Sequence, residues 1–432
     1  MLRQFWLICA GAVFGVCVFG LHASGQETRP GGAKDQPSPG AESPVQIPGP
    51  SPMNYPVELL RLLAPPDQRG PVTLTPSISI SEEYNDNIFL NNQARQWDFI
   101  TGFSPALTLS INNPTYQLRS GLSFTADVYA RESSLNRAVD RVNFLLGGLY
   151  RATPQLTLNV LDTFSFDQST NAASGPQGFT TGRQESWTNI FTPGLTYLVT
   201  ASTTLNVSAT YGAQRFFGNG TGFNSDTYGF QGDLGHVLTR RLTGTLAYGF
   251  TYLDVSSGDN SKTHTPTVGF TYQLTPTLTV AVSGGPAITD IGGQTFVTPA
   301  GSASLVQRLQ IGTATLQYTR NVAVAGGFGG TTDSQTASGT LLLPAWLRGL
   351  VIVLGAAYST ADSVNDREAQ QVDVNAVSAS VEGSYQIARF VSVFGAYTFL
   401  RQRTAGSSSQ QNDVNQNRVR FGLQFAYPIN FD

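Results

Sequence analysis

The sequence is poor in the side chains that bind metals or act as nucleophiles. Its 432 residues contain two cysteines and three histidines, and Cys9, Cys17 and His22 all lie near the N-terminus. Beyond residue 25 the chain therefore has no thiol and only two histidines, which is poor material for a zinc site. No Gly-x-Ser-x-Gly, P-loop or Gly-x-Gly-x-x-Gly motif occurs either. The sequence predicts no metal, no cofactor and no enzyme, although a Ser-His-Asp site assembled across strands would need no motif.

Charge is also scarce. Charged residues make up 12% of the chain, which is about half the usual share of a soluble domain. Lysine occurs only at Lys34 and Lys262, and the net charge of -3 argues against nucleic acid as a partner. The mean hydropathy is -0.09, so the chain is not apolar as a whole. Glycine, present 45 times, and small polar residues take the place of charge, as is typical of a barrel between lipid and water.

Long apolar runs are missing except at the N-terminus. Arg3 precedes an apolar run over residues 5–21 and the small residues Ala23, Ser24 and Gly25. This pattern predicts an export signal peptide over residues 1–25, because the run is short for a retained membrane helix. Residues 26–71 are rich in Pro, Gly, Ser and Gln, so they predict a periplasmic linker, with a short apolar helix candidate over 57–64.

From residue 72 onward, bulky apolar residues alternate with small polar ones. Over residues 242–252, Leu246, Tyr248 and Phe250 fall on one face, and Thr245 and Gly249 fall on the other. Period 2 is the signature of a strand with two different faces. Short and long connections alternate between such segments. The pattern predicts an all-β fold over residues 72–432: a single transmembrane antiparallel β-barrel of about 18 strands, with 16 as the alternative, short periplasmic turns and longer extracellular loops.

The size of the ring decides which face meets lipid. About 18 strands enclose a space too wide for side chains to fill, so the bulky face is predicted to face lipid and the small polar face to line water. Tyrosines near the strand ends predict two belts at the membrane interfaces. These tyrosines are Tyr116, Tyr150, Tyr197, Tyr272 and Tyr427 beside short turns, and Tyr129, Tyr211, Tyr252 and Tyr358 beside long loops. Asp162 falls on the lipid face and the alternation slips between Val374 and Val377, so β-bulges are predicted at both places.

The charged residues within strands are the candidates for controlling passage. The set predicted to project inward or toward the rims is Arg119, Asp127, Arg131, Arg141, Arg320, Glu382, Arg418 and Arg420. Inward charges set ion selectivity or form salt-bridge ladders across the lumen, and the two roles are compatible. Because the last strand must close on the first, Arg119, Arg418 and Arg420 are expected to lie close together with few acids beside them, which predicts a preference for anions.

One short motif supports a resemblance. The residues Tyr84, Asn85, Asp86 and Asn87, followed by apolar Ile88, end the first predicted strand. This segment resembles the entry motif of the beta-barrel porin-2 type outer-membrane proteins, which include barrels associated with exopolysaccharide gene clusters. The resemblance implies an outer-membrane channel, with sugar polymers as one candidate cargo, and it supplies no catalytic residues. The chain ends on Asp432 after Phe431, which departs slightly from the common ending of such barrels.

Two functional classes remain open at this point. The first is a water-filled outer-membrane channel for hydrophilic solutes or a polysaccharide, and the second is a structural or adhesive surface barrel with a blocked lumen. Either class implies outer-membrane lipid and the barrel-insertion machinery as partners. The sequence leaves the transported solute, the direction of transport and the oligomeric state open.

Overall fold

The computed structural model describes residues 71–168, 179–218, 222–256, 259–323, 327–344, 349–365, 371–405 and 413–431. These residues belong to the compact unit Pro48–Asp432; the other unit, Met1–Ile47, lies outside them. The predicted signal peptide, the predicted linker up to residue 70 with its helix candidate, and Asp432 also lie outside the described residues.

Within these ranges the chain is almost entirely β-strand, because the alternating pattern continues from one strand to the next. The strands are β1 Val72–Asn85, β2 Asp98–Asn112, β3 Tyr116–Tyr129, β4 Arg141–Arg151, β5 Leu156–Asp167, β6 Glu185–Thr200, β7 Thr203–Phe217, β8 Ser225–Thr239, β9 Leu242–Val255, β10 Ser261–Thr275, β11 Leu278–Ile291, β12 Gln294–Leu309, β13 Gly312–Ala323, β14 Thr332–Leu343, β15 Leu350–Ser363, β16 Asp373–Ala388, β17 Val391–Ala405, β18 Val414–Ala426 and β19 Ile429–Phe431. A short 3-10 helix, Ser133–Leu135, lies between β3 and β4. No helix in the described part of the chain is long and apolar enough to cross a membrane.

The sheet closes on itself. Consecutive strands pair antiparallel, and β1 pairs with β2 on one side and with β18 and β19 on the other. The β1 partners of β18 and β19 follow one register, with Ser77 opposite Ala426 and Leu74 opposite Ile429. Thus β18 and β19 are two parts of one closing strand, and the fold is a closed antiparallel barrel of 18 strands. The prediction of an all-β barrel with about 18 strands is confirmed.

The two faces of the wall are chemically different, as predicted. Leu246 and Phe421 are 59% and 62% exposed on the outer face. Thr245 lies opposite Gly269, and Thr243 lies opposite Thr271, on the inner face. Because directly opposed residues share a face, the small polar side chains of neighbouring strands together line the lumen. The barrel therefore presents its apolar surface outward.

The tyrosine belt beside the short turns is confirmed, and the belt beside the loops needs one correction. Tyr116, Tyr150, Tyr197, Tyr272 and Tyr427 are all exposed beside the turns. At the loop end Tyr211 and Tyr358 are exposed as well, whereas Tyr129 is only 2% exposed. Tyr129 shares the inner face with Asp127, because the two are separated by one residue on β3 and side chains alternate along a strand. Its ring therefore packs inside the barrel.

The predicted bulge at Asp162 is wrong. Asp162 lies opposite Leu146 on β4 and opposite Phe191 on β6, and the register is continuous on both sides. Its placement on the outer face is as predicted. The side-chain amide of Asn189 donates a hydrogen bond of 2.8 Å to its carboxylate, so the carboxylate has a polar partner on the apolar face of the wall.

The predicted bulge between Val374 and Val377 is also wrong. The pairing of β16 with β15 runs without a shift through both residues. Val374 is fully buried and points inward, and Val377 is exposed and points outward. The alternation is intact, but the inner face changes from polar to apolar near the loops. The physical reason is that other parts of the chain pack against this end of the lumen.

A paired substitution tests the assignment of the faces. We expect Leu246→Arg to impair insertion into membranes much more than Thr245→Arg, because an arginine on the lipid face near the bilayer midplane costs about 2–4 kcal/mol. The measurement is the fraction of protein with heat-modifiable gel mobility after insertion into lipid vesicles. Equal yields of the two variants would contradict the assignment, and a lower yield of Thr245→Arg would mean that the faces are reversed.

Candidate functional site

One segment of the chain crosses the lumen at the loop end. In residues 179–184, between β5 and β6, the Thr180 backbone N–H donates to the Gln402 side-chain carbonyl oxygen at 2.8 Å. The Gln402 Nε2 donates back to the Thr180 carbonyl oxygen, also at 2.8 Å. Gln402 lies on β17, and the shorter way round the ring from β6 runs through β5, β4, β3, β2, β1 and β18. Residues 179–184 therefore reach across the interior of the barrel, and these two hydrogen bonds hold the segment to the far wall.

The same segment is fixed at a second and a third point. The Arg183 guanidinium donates to the Ile88 carbonyl oxygen and to the Tyr129 hydroxyl, each at 3.2 Å, and lies 5.2 Å from the centre of the Tyr129 ring. The Gln184 side-chain oxygen accepts the Gly222 backbone N–H at 3.0 Å. The segment is thus tied to the β1–β2 connection, to β3 and to the β7–β8 connection.

Apolar packing completes this closure. Phe179 is fully buried, and it packs against Phe328 from the β13–β14 connection. The rest of this cluster comes from the inner wall near β15 and β16: Ala361, Val372, Val374 and Ala376. The backbone N–H of Phe223 donates to the Gly327 carbonyl oxygen at 2.9 Å. We call residues 86–92, 179–184, 222–224 and 327–331 together the lid.

Gly327 shows why the lid can fold so tightly. Its φ of +88° is in the left-handed region, which favours glycine. A Cβ at this position would lie 2.5 Å from the Phe216 ring, so any other residue would force the ring to move. The prediction of long loops between strands did not include an inward fold of residues 327–331. The inward positions nearest the loops are apolar, as at Leu253 and Ile291, which are both buried. This pattern in the sequence was the available indication that part of the chain packs on the inner wall.

The motif at the end of β1 joins the first loop to the last strand. The Asn85 side-chain oxygen accepts the Asn87 backbone N–H at 3.0 Å and the Gln416 side-chain amide at 3.1 Å. Asp86 accepts the backbone N–H of Asn417 at 2.8 Å and its side-chain amide at 2.7 Å. The Asn87 amide donates to the Asn415 carbonyl oxygen at 2.9 Å. We call these contacts the clasp, because they hold the loop end of the closing seam.

Two further contacts support the clasp. The ring of Tyr84 faces outward against Trp97 and Phe99, with ring centres 6.1 Å and 5.4 Å apart. Arg95 forms an ion pair with Asp86. Burial would raise the pKa of Asp86, but the hydrogen bonds from Arg95 and Asn417 outweigh it and hold the pKa below its ordinary value. The carboxylate of the clasp therefore stays charged over the neutral range.

A charged patch lies on the inner wall below the lid. Arg420 on β18 is directly opposite Glu83 on β1. The Arg141 guanidinium donates to both carboxylate oxygens of Asp127 at 3.0 Å. A cavity of about 10 Å³, the size of one water, lies between these side chains and is lined by Ser81, Glu83, Ile100, Gly102, Asp127, Arg141 and Arg420. The predicted shortage of acids beside Arg420 is wrong, because the inward position of Glu83 was not recognised.

The remaining predicted residues are spread over the wall. Arg418 lies opposite Asn85 in the patch. Arg119 lies opposite Ser110, ten positions along β3 from Tyr129, which corresponds to about 33 Å of strand. The predicted cluster of Arg119 with Arg418 and Arg420 is therefore wrong, since neighbouring strands in register place Arg119 near the turns. Glu382 points inward on β16, opposite Val353.

Two arginines lie at the rim instead of the lumen. Arg131 follows β3, and its guanidinium lies 4.1 Å from the centre of the Trp97 ring on the outer side. Arg320 forms an ion pair with Asp333 at 2.6 Å near the loop end of β13.

Across the ranges of residues given above, no three His, Cys, Asp or Glu side chains lie close enough together to hold a metal ion.

Comparison with known proteins gave distant structural matches. No protein-family model and no curated protein sequence matches this chain. Acinetobacter baumannii OccAB4 is 12% identical, with 85% of this chain and 100% of that chain covered and a TM-score of 0.43. Pseudomonas aeruginosa OpdO is 13% identical, with 83% and 97% covered and a TM-score of 0.43. The outer membrane protein OprD from Pseudomonas aeruginosa is 12% identical, with 84% and 96% covered and a TM-score of 0.40. Likeness at this level carries no argument about function.

Asp140 is a second titratable group of the site that lies outside the strands. It is 2% exposed, directly before β4, and its carboxylate accepts the Asp127 backbone N–H at 2.7 Å. Burial raises the pKa of Asp140 to about 6; the charge of Asp127 adds to this effect, while the backbone hydrogen bond and the charges of Arg141 and Arg183 oppose it. In the folded barrel Asp140 thus takes up a proton at a pH where an exposed aspartate is charged.

This shift predicts a pH dependence of barrel stability. The unfolded carboxyl titrates near 3.8 and the folded one near 6, so its stabilising contribution is full below about pH 4 and is lost as the pH rises through 6. We expect Asp140→Asn, which keeps an acceptor without the charge, to stabilise the barrel at pH 8 by up to about 3 kcal/mol. The measurement is the temperature at which heat-modifiable gel mobility is lost, at pH 4 and pH 8. The exposed Asp259→Asn is the control, and a gain equal at both pH values would contradict the expectation.

Proposed function

We propose that this protein is an outer-membrane channel for small hydrophilic solutes, with an entrance narrowed by the lid. One observation carries the proposal: a closed ring of 18 strands is apolar outside and small and polar inside. In a bilayer every backbone N–H and C=O must be satisfied within the protein, which a closed barrel achieves. The signal peptide predicted for residues 1–25 agrees with that location.

The turn-side part of the lumen has room for water. Its inner wall carries small side chains such as Ser208, Thr210 and Gly212 on β7, which lie opposite Gln231, Gly229 and Thr227. A ring of this many strands is wider than such side chains can fill. Water in this part of the lumen supports passage of hydrophilic solutes.

The lid supports small solutes rather than a polysaccharide. Phe179 and Phe328 are buried at its centre, and an extended sugar polymer would have to displace them over its whole passage. The hydrogen bonds of Gln402 and Arg183 hold the lid from two sides. Opening the lid breaks these side-chain hydrogen bonds but leaves the backbone ladder of the wall intact, so it costs less than unfolding of the wall.

The alternative is a structural or adhesive barrel with a blocked lumen. It is favoured by the full burial of Phe179 and Val374 in the layer that closes the loop end. The partly exposed Arg418 and Arg420 argue for the channel, because they keep a charged wall in contact with water below the lid. Conductance separates the two functions.

Loosening the lid should increase conductance. We expect Arg183→Ala combined with Gln402→Ala to raise the single-channel conductance in a planar bilayer at least about twofold, because the anchors of residues 179–184 are removed. Arg215→Ala is the control, since Arg215 pairs with Asp226 near the loop end, away from the anchors. If neither wild type nor the double variant conducts, although heat-modifiable mobility shows that both are folded, the barrel is structural.

The charged patch should set ion preference. Three inward arginines, Arg141, Arg418 and Arg420, lie on this part of the wall together with Glu83, Asp127 and Asp167, so removing one arginine makes the local charge more negative. Arg420→Ser should lower the anion-to-cation permeability ratio roughly twofold at low salt, and high salt should abolish the difference. The reversal potential in a salt gradient measures it. Arg240→Ser, at an exposed turn, should behave like wild type, and an equal shift in both would contradict a role for the patch.

A further inference from the structure

The closing seam is interrupted near the short turns. β18 ends at Ala426 and β19 begins at Ile429, so Thr75 and Pro76 of β1 lack ladder partners on the side of the closing strand, while their pairing with β2 continues. Pro428 lies in the same break, and neither proline has a backbone N–H to donate. The backbone N–H of Tyr427 donates to the Pro76 carbonyl oxygen at 3.0 Å and keeps the two strands together. The wall is therefore closed here but locally irregular.

An apolar groove occupies this break. Its volume is about 310 Å³, and it is lined by Pro76, Ser77, Ile78, Phe390, Phe425, Ala426 and Tyr427. Ile78 and Phe425 are directly opposed across the seam. Phe425 and Tyr427 are exposed, and Tyr427 belongs to the belt beside the turns. The groove therefore opens on the outer face, at the depth of the turn-side interface.

A cation lies at the end of the groove. Arg389 is exposed in the turn between β16 and β17, with its guanidinium 4.9 Å from the centre of the Phe390 ring. Phe390 in turn packs on Tyr427, with ring centres 4.9 Å apart. An apolar recess next to an arginine at the level of lipid head groups complements a molecule with a hydrocarbon chain and an anionic phosphate. Arginine suits phosphate because its planar fork donates two parallel hydrogen bonds.

We propose that this groove binds a phospholipid, with one acyl chain along Ile78 and Phe425 and the phosphate on Arg389. The site rests on the proposed function in one respect, because it requires the barrel to lie in a bilayer. The lipid would cover the place where the ladder of the closing seam is interrupted. It would thus shield the backbone groups around Pro76 and Pro428 from contact with water at the interface.

Native mass spectrometry of the full-length protein, purified from membranes in mild detergent, tests the site. We expect wild type to retain one phospholipid. Arg389→Gln, which removes the cation, should reduce the retained fraction at least about tenfold, as expected for loss of a hydrogen bond to a charged group. Ile78→Trp should reduce it to a similar extent, because the larger side chain fills the groove. Arg240→Gln at another exposed turn should retain lipid as wild type does.

Three outcomes would overturn the proposal. The first is retention in both groove variants equal to that of wild type. The second is loss of all lipid from a wild-type protein that still shows heat-modifiable mobility and conductance. That result would contradict the lipid site and leave the proposed channel function standing. The third is a high-yield disulfide in a Leu60→Cys, Ile78→Cys variant, which would show that the preceding segment of this chain covers the groove. Lipid retention that depends on Arg389 in a barrel without conductance would instead support the site and contradict the channel.

Discussion

The closing of β1 on β18 is the contact on which the rest of this structure depends. An open sheet edge in a bilayer would leave a row of backbone N–H and C=O groups without partners, and each would cost several kcal/mol. The chain closes the edge with a continuous register from Ser77 to Asn85. At the loop end it adds the side chains of Asn85, Asp86 and Asn87, which reach three consecutive residues of the last strand. The motif that resembles a family signature thus has a physical task in joining the two ends of the sheet.

Closure also explains why the inner wall has two zones. Toward the turns many inner positions are small and polar because they face water, as at Thr243 and Thr271, although Val351 and Val353 are apolar inward residues there. Toward the loops they become apolar, as at Val374 and Leu400, because lid residues pack on them. Burial of a side chain such as Phe179 contributes about 1.5–3 kcal/mol, so each aromatic in the lid helps to hold the connections over the lumen. The polar anchors at Gln402 and Arg183 then fix where these connections lie.

The sequence predicted the features that depend on residues close together along the chain. The alternation around Leu246 and Thr245 was sufficient for strands, faces and the approximate strand number. Relations between distant residues were not predictable in this way. Arg119 and Arg420 lie on strands that are close in the ring, yet the register separates them along the wall. Thr180 and Gln402 bond although 222 residues separate them, and no periodicity records such a contact. Val374 was misread because an apolar inward residue is explained only by the lid.

The contacts between Thr180 and Gln402 also constrain the order of assembly. Their two partners stand on opposite parts of the wall, so they can meet only after the first and last strands have joined. Loop closure over such a separation is entropically costly unless the ring has already brought the ends together. Before that point, Phe179 and Phe328 are exposed apolar side chains on unpaired connections. The nascent barrel therefore passes through a state with a wide, unobstructed interior, and the narrow entrance is the last feature to form.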